Sequence, residues 1–146
     1  MVDVEVHLTD DTDKKNVQGN MTSPVGNGQI LTFDNEHKGV CHDGFIINFN
    51  LTDETGTGYL FAPAAPDAMW AKPVEHFGES CPDEQHWNQF RAIEVCNGGN
   101  TLRVRNLNRK KRKFKFALRF TWSGQHGQDY AMYDPGGDNN NGTSRD

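Results

Sequence analysis

Apolar and polar side chains alternate with a period of two along most of this chain, and the three-and-four spacing of a helix is nearly absent. Val2, Val4, Val6 and Leu8 alternate with Asp3, Glu5 and His7, the pattern of a strand with one buried face. Phe45, Ile47, Phe49 and Leu51 share a face opposite Ile46, Asn48 and Asn50, and Leu102 and Val104 oppose Arg103 and Arg105. The most regular case sets Phe114, Phe116, Leu118, Phe120 and Trp122 against Lys113, Lys115, Ala117, Arg119 and Thr121. Shorter strands are expected over 29–33, 58–62 and 87–96, the last with a bulge because both its faces are partly apolar.

Turn-forming glycine and asparagine separate these segments, at 26–28, 53–58, 97–100 and 106–108. Strands so punctuated predict an all-β protein, a single antiparallel immunoglobulin-like or cupredoxin-like β-sandwich of roughly seven to eight strands. Residues 62–83 form the one long irregular region, with a helical turn expected near 84–88. The sandwich domain is assigned to 1–132, and 133–146 reads as a loose polar tail rich in glycine and asparagine.

The immunoglobulin signature itself fails. Cys41 and Cys96 fall in expected strands, but the next tryptophan after Cys41 is Trp70, and Glu94 stands where the tyrosine corner needs a tyrosine. Three cysteines, Cys41, Cys81 and Cys96, are too few for a disulfide framework, so reduced thiols and no Cys41–Cys96 bridge are expected. The first twenty residues interleave charges with apolar positions, and no run has membrane-spanning length. The expectation is a cytoplasmic protein with no membrane partner.

Charge changes the picture. Of fifteen basic residues, nine lie in 103–119: Arg103, Arg105, Arg109, Lys110, Lys111, Arg112, Lys113, Lys115 and Arg119, a segment without an acid. The chain carries −5, so the rest of it carries −14. Read as a hairpin turning at 106–112, the segment sets Arg103 and Arg105 beside Lys115 and Arg119, like charges on adjacent strands that need anions nearby. Asp3 and Glu5 on the first strand are the internal candidates for that role. The external ones are an acidic protein surface or a second copy of the chain, with nucleic acid the weaker partner because the hairpin's aromatics all turn inward.

Other chemistry is thinner. His76, Cys81 and His86 recur every five residues, which is no metal-ligand spacing, and no Cys-His-Met copper cluster follows Cys96. Asp134, Asp138 and Asn139, with Asp129 before them and Asn140 and Asn141 after, offer hard oxygens to calcium on composition alone; no cofactor is assigned. Trp70, Trp87 or Tyr59, if exposed, would give a sugar an aromatic face. No serine sits in a nucleophile elbow and no phosphate-cradling loop precedes a helix, so the sequence gives catalysis no anchor.

Leu102-Arg-Val-Arg-Asn-Leu-Asn108, the strand 114–120, and Tyr133-Asp-Pro-Gly-Gly-Asp-Asn-Asn-Asn-Gly142 resemble the end of small bacterial β-sandwich proteins of unknown function, the DP-EP family. Those proteins also finish with a strand pair around an Asn-containing turn and a short Asp-Pro segment; no Glu-Pro follows it here. The resemblance covers about a quarter of the chain, implies a one-domain sandwich, and names no site. The reading from sequence is a non-catalytic binding or assembly module that turns a cationic hairpin toward an acidic surface, with a calcium- or carbohydrate-binding sandwich as the alternative and an enzyme of no assignable class third.

Overall fold

The alternating segments become strands of two facing sheets in a computed structural model that describes residues 1–33, 44–139 and 143–144. In chain order they are β1 (Val2–Asp10), β2 (Gln18–Thr22), β3 (Ile30–Phe33), β4 (Phe45–Asp53), β5 (Leu60–Phe61), a short helix α1 (Ala65–Ala68), β6 (Met69–Val74) and β7 (Phe90–Cys96). They continue with β8 (Thr101–Asn106), β9 (Lys110–Thr121), β10 (Ala131–Tyr133), β11 (Gly136–Asn139) and β12 (Thr143–Ser144). The first sheet runs β2-β1-β4-β8-β7. In the second, β9 is the hub: Leu118 pairs with Met69 and Tyr133, and Lys115 with Lys72 and Gly136, so β5 and β6 lie along one edge and β10 and β11 along the other. β11 then pairs with β3.

The predicted inward rows are the core. Val4, Val6, Leu8, Ile47, Phe49, Leu102, Val104, Phe114, Phe116, Leu118 and Phe120 are all buried. Their rings meet between the layers, with Phe49 5.6 Å from Phe116 and Phe33 5.1 Å from Phe45 between centroids. Truncating one such Phe costs about 3–5 kcal/mol. No helix among the described residues is long and apolar enough to cross a membrane.

The structure corrects several expectations. The sheets are mixed: β1 with β4, β11 with β3, and β12 with β9 are parallel pairs, and the strands outnumber the seven to eight expected. β8 and β9 are not a hairpin, because β8 lies in the first sheet and β9 in the second. Crossing between layers lets Leu102 and Val104 face Phe114 and Phe116 through the core, and it separates like charges that a hairpin would have set side by side. The irregular region holds α1 and β6, while 84–88 contains no helical turn. Cys41 lies outside the described residues, and Cys81 and Cys96 are free thiols.

The expected loose tail is built into the second sheet as far as Asn139. Its glycines are there for space. A Cβ on Gly137 would run into the Phe114 ring, and one on Gly136 would sit 2.9 Å from Cδ1 of Phe77. A composition that resembles disorder is here the one that lets a strand pass between aromatic rings.

The crossing from β8 to β9 is fastened by amides. Asn106, on the inward face of β8, exchanges two hydrogen bonds with Asn139 of β11, at 2.9 and 3.1 Å, and both side chains are fully buried. The Asn106 Oδ1 also accepts from the backbone N–H of Asn108 at 3.0 Å, and Asn108 turns the chain at φ 52°, which asparagine tolerates. At one end of the sandwich, Asp53 accepts from the N–H groups of Thr55, Gly58 and Tyr59 at 2.9, 2.7 and 3.0 Å and so folds the loop after β4. That loop grips the segment after β1, since Asp11 accepts from Tyr59 at 2.8 Å and from Lys14 at 2.9 Å.

Asn106→Leu is expected to cost about 2–4 kcal/mol in urea unfolding, because it leaves the Asn139 amide buried without its partner. The double variant Asn106→Leu with Asn139→Leu should lose less than the sum of the single losses; strict additivity would show that the pair does not interact. For Asp53, burial pushes the carboxyl up, but the hydrogen bonds from Thr55, Tyr59 and Gly58 outweigh it and hold it below 3.8. A depressed carboxyl contributes stability above its unfolded pKa and loses it as pH falls through the folded one. Asp53→Asn should therefore be less stable than the parent by roughly 1 kcal/mol at neutral pH, with the gap closing below about pH 4 in parallel acid titrations.

Candidate functional site

The predicted cationic residues are dispersed by the fold. Arg103 and Arg105 point from β8 on the outer face of the first sheet, whereas Lys113, Lys115 and Arg119 belong to the outer row of β9 in the second. Arg109 lies exposed in the crossing, where its N–H donates to Gln89 Oε1 at 2.8 Å. Lys110 and Lys111 open β9 in register with Thr143 and Ser144. Arg112 pairs with Glu75 at 3.5 Å, and Lys115 with Asp134 at 3.1 Å. These residues do not form one ridge, and most of those named have a partner at hand.

Asp3 and Glu5 do not border the basic strands, because β4 stands between β1 and β8. An amide relay spans the gap. Asn48 donates to Asp3 at 3.3 Å and accepts from Arg103 Nε at 3.1 Å, and Arg103 reaches Glu94 at 3.5 Å. One row over, Asn50 donates to Glu5 at 2.8 Å and accepts from Thr101 at 3.0 Å. Asn48, on the outward face of the central strand, thus carries the interaction from carboxylate to guanidinium that direct contact was expected to provide, while Asn50 links Glu5 to the Thr101 hydroxyl.

Among the described residues the calcium candidates do not converge; Asn140 and Asn141 lie outside them. Lys115 holds Asp134, Asn139 is committed to Asn106, and Asp138 points to the opposite face of β11 from Asn139. Burial raises the Asp134 carboxyl, and Lys115 partly offsets it. Among the described residues no three His, Cys, Asp or Glu side chains, including His76, Cys81 and His86, are grouped to hold a metal. Of the aromatics, Tyr59 and Trp87 are buried, and Trp70 is half-buried.

Trp70 stands at the one place where several sequence features meet, a cleft of about 440 Å³ on the outer face of the second sheet. β9 supplies Arg119, β6 supplies Trp70, and β10, in register opposite Arg119, supplies Met132. Tyr130 and Gln128 wall one side, and Asp67, Asp83, Glu84 and His86 line the rest. Lys15 completes the lining from the turn after β1, held by an ion pair to Asp129.

Arg119 forms the floor. Its guanidinium carbon lies 3.7 Å from the centroid of Trp70 and 4.9 Å from that of Tyr130. Its Nη1 donates to the Asp67 carbonyl at 3.0 Å and its Nη2 to the Gln128 carbonyl at 3.1 Å. The residue is 5% exposed, and its Nε, itself shielded from solvent, has no hydrogen-bond partner among the described residues. Desolvation lowers its pKa, while Asp67, Tyr130, Glu84 and Asp83 act the other way. Stacking of a desolvated guanidinium on aromatic rings contributes about 2 kcal/mol or more, which helps offset the cost of burying the charge. The three carboxylates enter no ion pair among the described residues. The cleft therefore presents hydrogen-bond acceptors at its rim, donors at its floor and aromatic surface between them.

Sequence singled out both Trp70 and Arg119, but for different roles. Period two places Arg119 on the outer row and says nothing of the cover that buries it, which comes from Trp70, the Asp67 carbonyl of α1, Gln128 and Tyr130. Compared with protein-family models and with curated proteins, the chain matches none.

Arg119→Lys keeps the charge and removes the planar fork, so it should destabilise the fold by about 1–3 kcal/mol and displace the indole N–H resonance of Trp70. Unchanged stability and an unmoved resonance would mean that the guanidinium does not organise the cleft.

Proposed function

We propose that the protein is a non-catalytic binding module and that the outer-face cleft takes a neutral polyhydroxylated ligand, a saccharide. The observation that carries this reading is a half-buried tryptophan stacked on the desolvated Arg119, beside three carboxylates that enter no ion pair among the described residues. An anion would meet Asp67, Asp83 and Glu84, and a cation would meet Arg119. A hydroxyl both donates and accepts, so a polyol satisfies both sets without adding charge, while the C–H face of a sugar suits an aromatic wall. A volume of about 440 Å³ lies in the range of small-molecule sites.

A second reading keeps an acidic protein surface as the partner and moves its site to the first sheet. It is favoured by Arg91 and Arg105, like charges directly opposed in register on β7 and β8. An immunoglobulin-like or cupredoxin-like type of sandwich, kinship with the DP-EP proteins and a cytoplasmic location belong to the same proposal, supported by the two-layer core and by the sequence arguments above.

Titration of ¹⁵N-labelled protein with glucose, galactose, N-acetylglucosamine and their short oligomers tests the reading. At least one should move the Trp70 indole resonance, with affinity lowered at least tenfold by Trp70→Ala and unaffected by chelator or by salt. No response anywhere in the panel would refute it. Salt-sensitive binding of an acidic peptide that Arg91→Glu abolishes would favour the second reading instead.

A further inference from the structure

A second cleft, of about 300 Å³, opens between the two sheets where the edge strands β6 and β7 part. Most of its lining side chains are apolar, Pro66, Met69, Ala71, Trp87, Phe90 and Ala92, while His86 and Arg91 at its mouth help make its surface about as polar as it is apolar. β6 divides it from the polar cleft. Alternation puts Trp70 on the outer face of this strand and Met69 and Ala71 on the inner. The segment carrying residues 83–87 folds along the same edge, where Ala71 N–H donates to the Gln85 carbonyl at 2.9 Å.

The two clefts are neighbours at this edge. His86 lines both, and the consecutive α1 residues Pro66 and Asp67 line one each. A ligand seated on Trp70 therefore has, on the other side of His86, a second recess walled largely by apolar side chains. A strand from another protein is poorly suited to the recess, because the register of β7 shifts between Ala92 and Glu94, leaving Ile93 as a bulge that interrupts the edge.

Resting on the saccharide reading above, we propose that the ligand is amphiphilic: a glycoside whose sugar occupies the polar cleft and whose short alkyl or aryl aglycone enters the apolar one. The sugar hydroxyls meet the carboxylates and Arg119, and the aglycone leaves water for a recess walled by Met69, Ala71 and Ala92. Each methylene buried there strengthens binding roughly fourfold.

The test compares methyl with octyl glycosides of glucose, galactose and N-acetylglucosamine, below micelle formation, by calorimetry and by methyl and indole NMR. The octyl compound should bind at least tenfold more tightly than its methyl counterpart. It alone should shift the methyl resonances of Met69 and Ala92, while both shift the Trp70 indole. Ala92→Trp, which fills the recess, should remove the octyl advantage and leave methyl glycoside affinity intact; Trp70→Ala should weaken both equally. If that filling variant does not fold, the Met69 and Ala92 shifts on the parent protein decide the matter. Equal affinity of methyl and octyl glycosides would overturn the amphiphile and leave the saccharide reading standing. Octyl binding that survives Trp70→Ala would overturn the saccharide reading, and no binding of either compound would overturn both.

Discussion

Phe114, Phe116, Leu118 and Phe120 form an inward row on β9 on which the rest of the molecule leans. Rings from both layers close on this row: Phe33, Trp87 and Phe90 around Phe114, Phe49 on Phe116, and Tyr59 and Phe61 on Phe120. The same strand hydrogen-bonds along both edges, so its register fixes β5, β6, β10 and β11 together. A slip of one residue would turn the phenylalanines to the outside and bring Lys115 and Arg119 into the core, which makes the alternative register prohibitively costly. The strand that holds the core together therefore also sets where the cleft can be.

Charge is handled by partition. Fifteen basic side chains on an acidic chain could be expected to gather, and nine of them fall within residues 103–119. The crossing between β8 and β9 divides them between two outer faces, and each face answers them differently. On the first sheet, Asn48 of β4 conducts the interaction from Asp3 to Arg103. On the second, Lys115 meets a half-buried carboxylate, and Arg119 is clasped by carbonyls and rings. Surface pairs such as Arg103 with Glu94 add little to stability, whereas the buried Arg119 is a commitment that the surrounding loops must satisfy.

Period-two alternation made the faces of β1, β4, β8 and β9 legible in the sequence, because burial on one side of a pleated strand leaves that mark whatever its neighbours are. It does not say which strand is the neighbour, so two strands joined by a short turn read as a hairpin when they belong to different layers. β6 was hidden by Pro73, which its edge position tolerates, and β11 by a glycine pair whose reason lies in Phe77 and Phe114, remote in sequence. For the cleft, Trp70 and Arg119 were visible as residue types. Their meeting was not, since it depends on Asp67 and Gln128 presenting backbone carbonyls, and a backbone carbonyl carries no sequence signature.

The position of β11 has a consequence for synthesis on the ribosome. Among the described strands, β3 joins its sheet only through β11, yet more than a hundred residues separate the two. A nascent chain can pair β1 with β2 early, but β3 has no edge to join until residue 139 has left the exit tunnel. Until then β3 has no strand to pair with, although Phe33 can already pack on Phe45 of the first sheet. Closure of so long a loop is slow compared with the forming of a hairpin. Emergence of β11, rather than collapse of the first strands, thus times the moment at which β3 gains its partner in the second sheet.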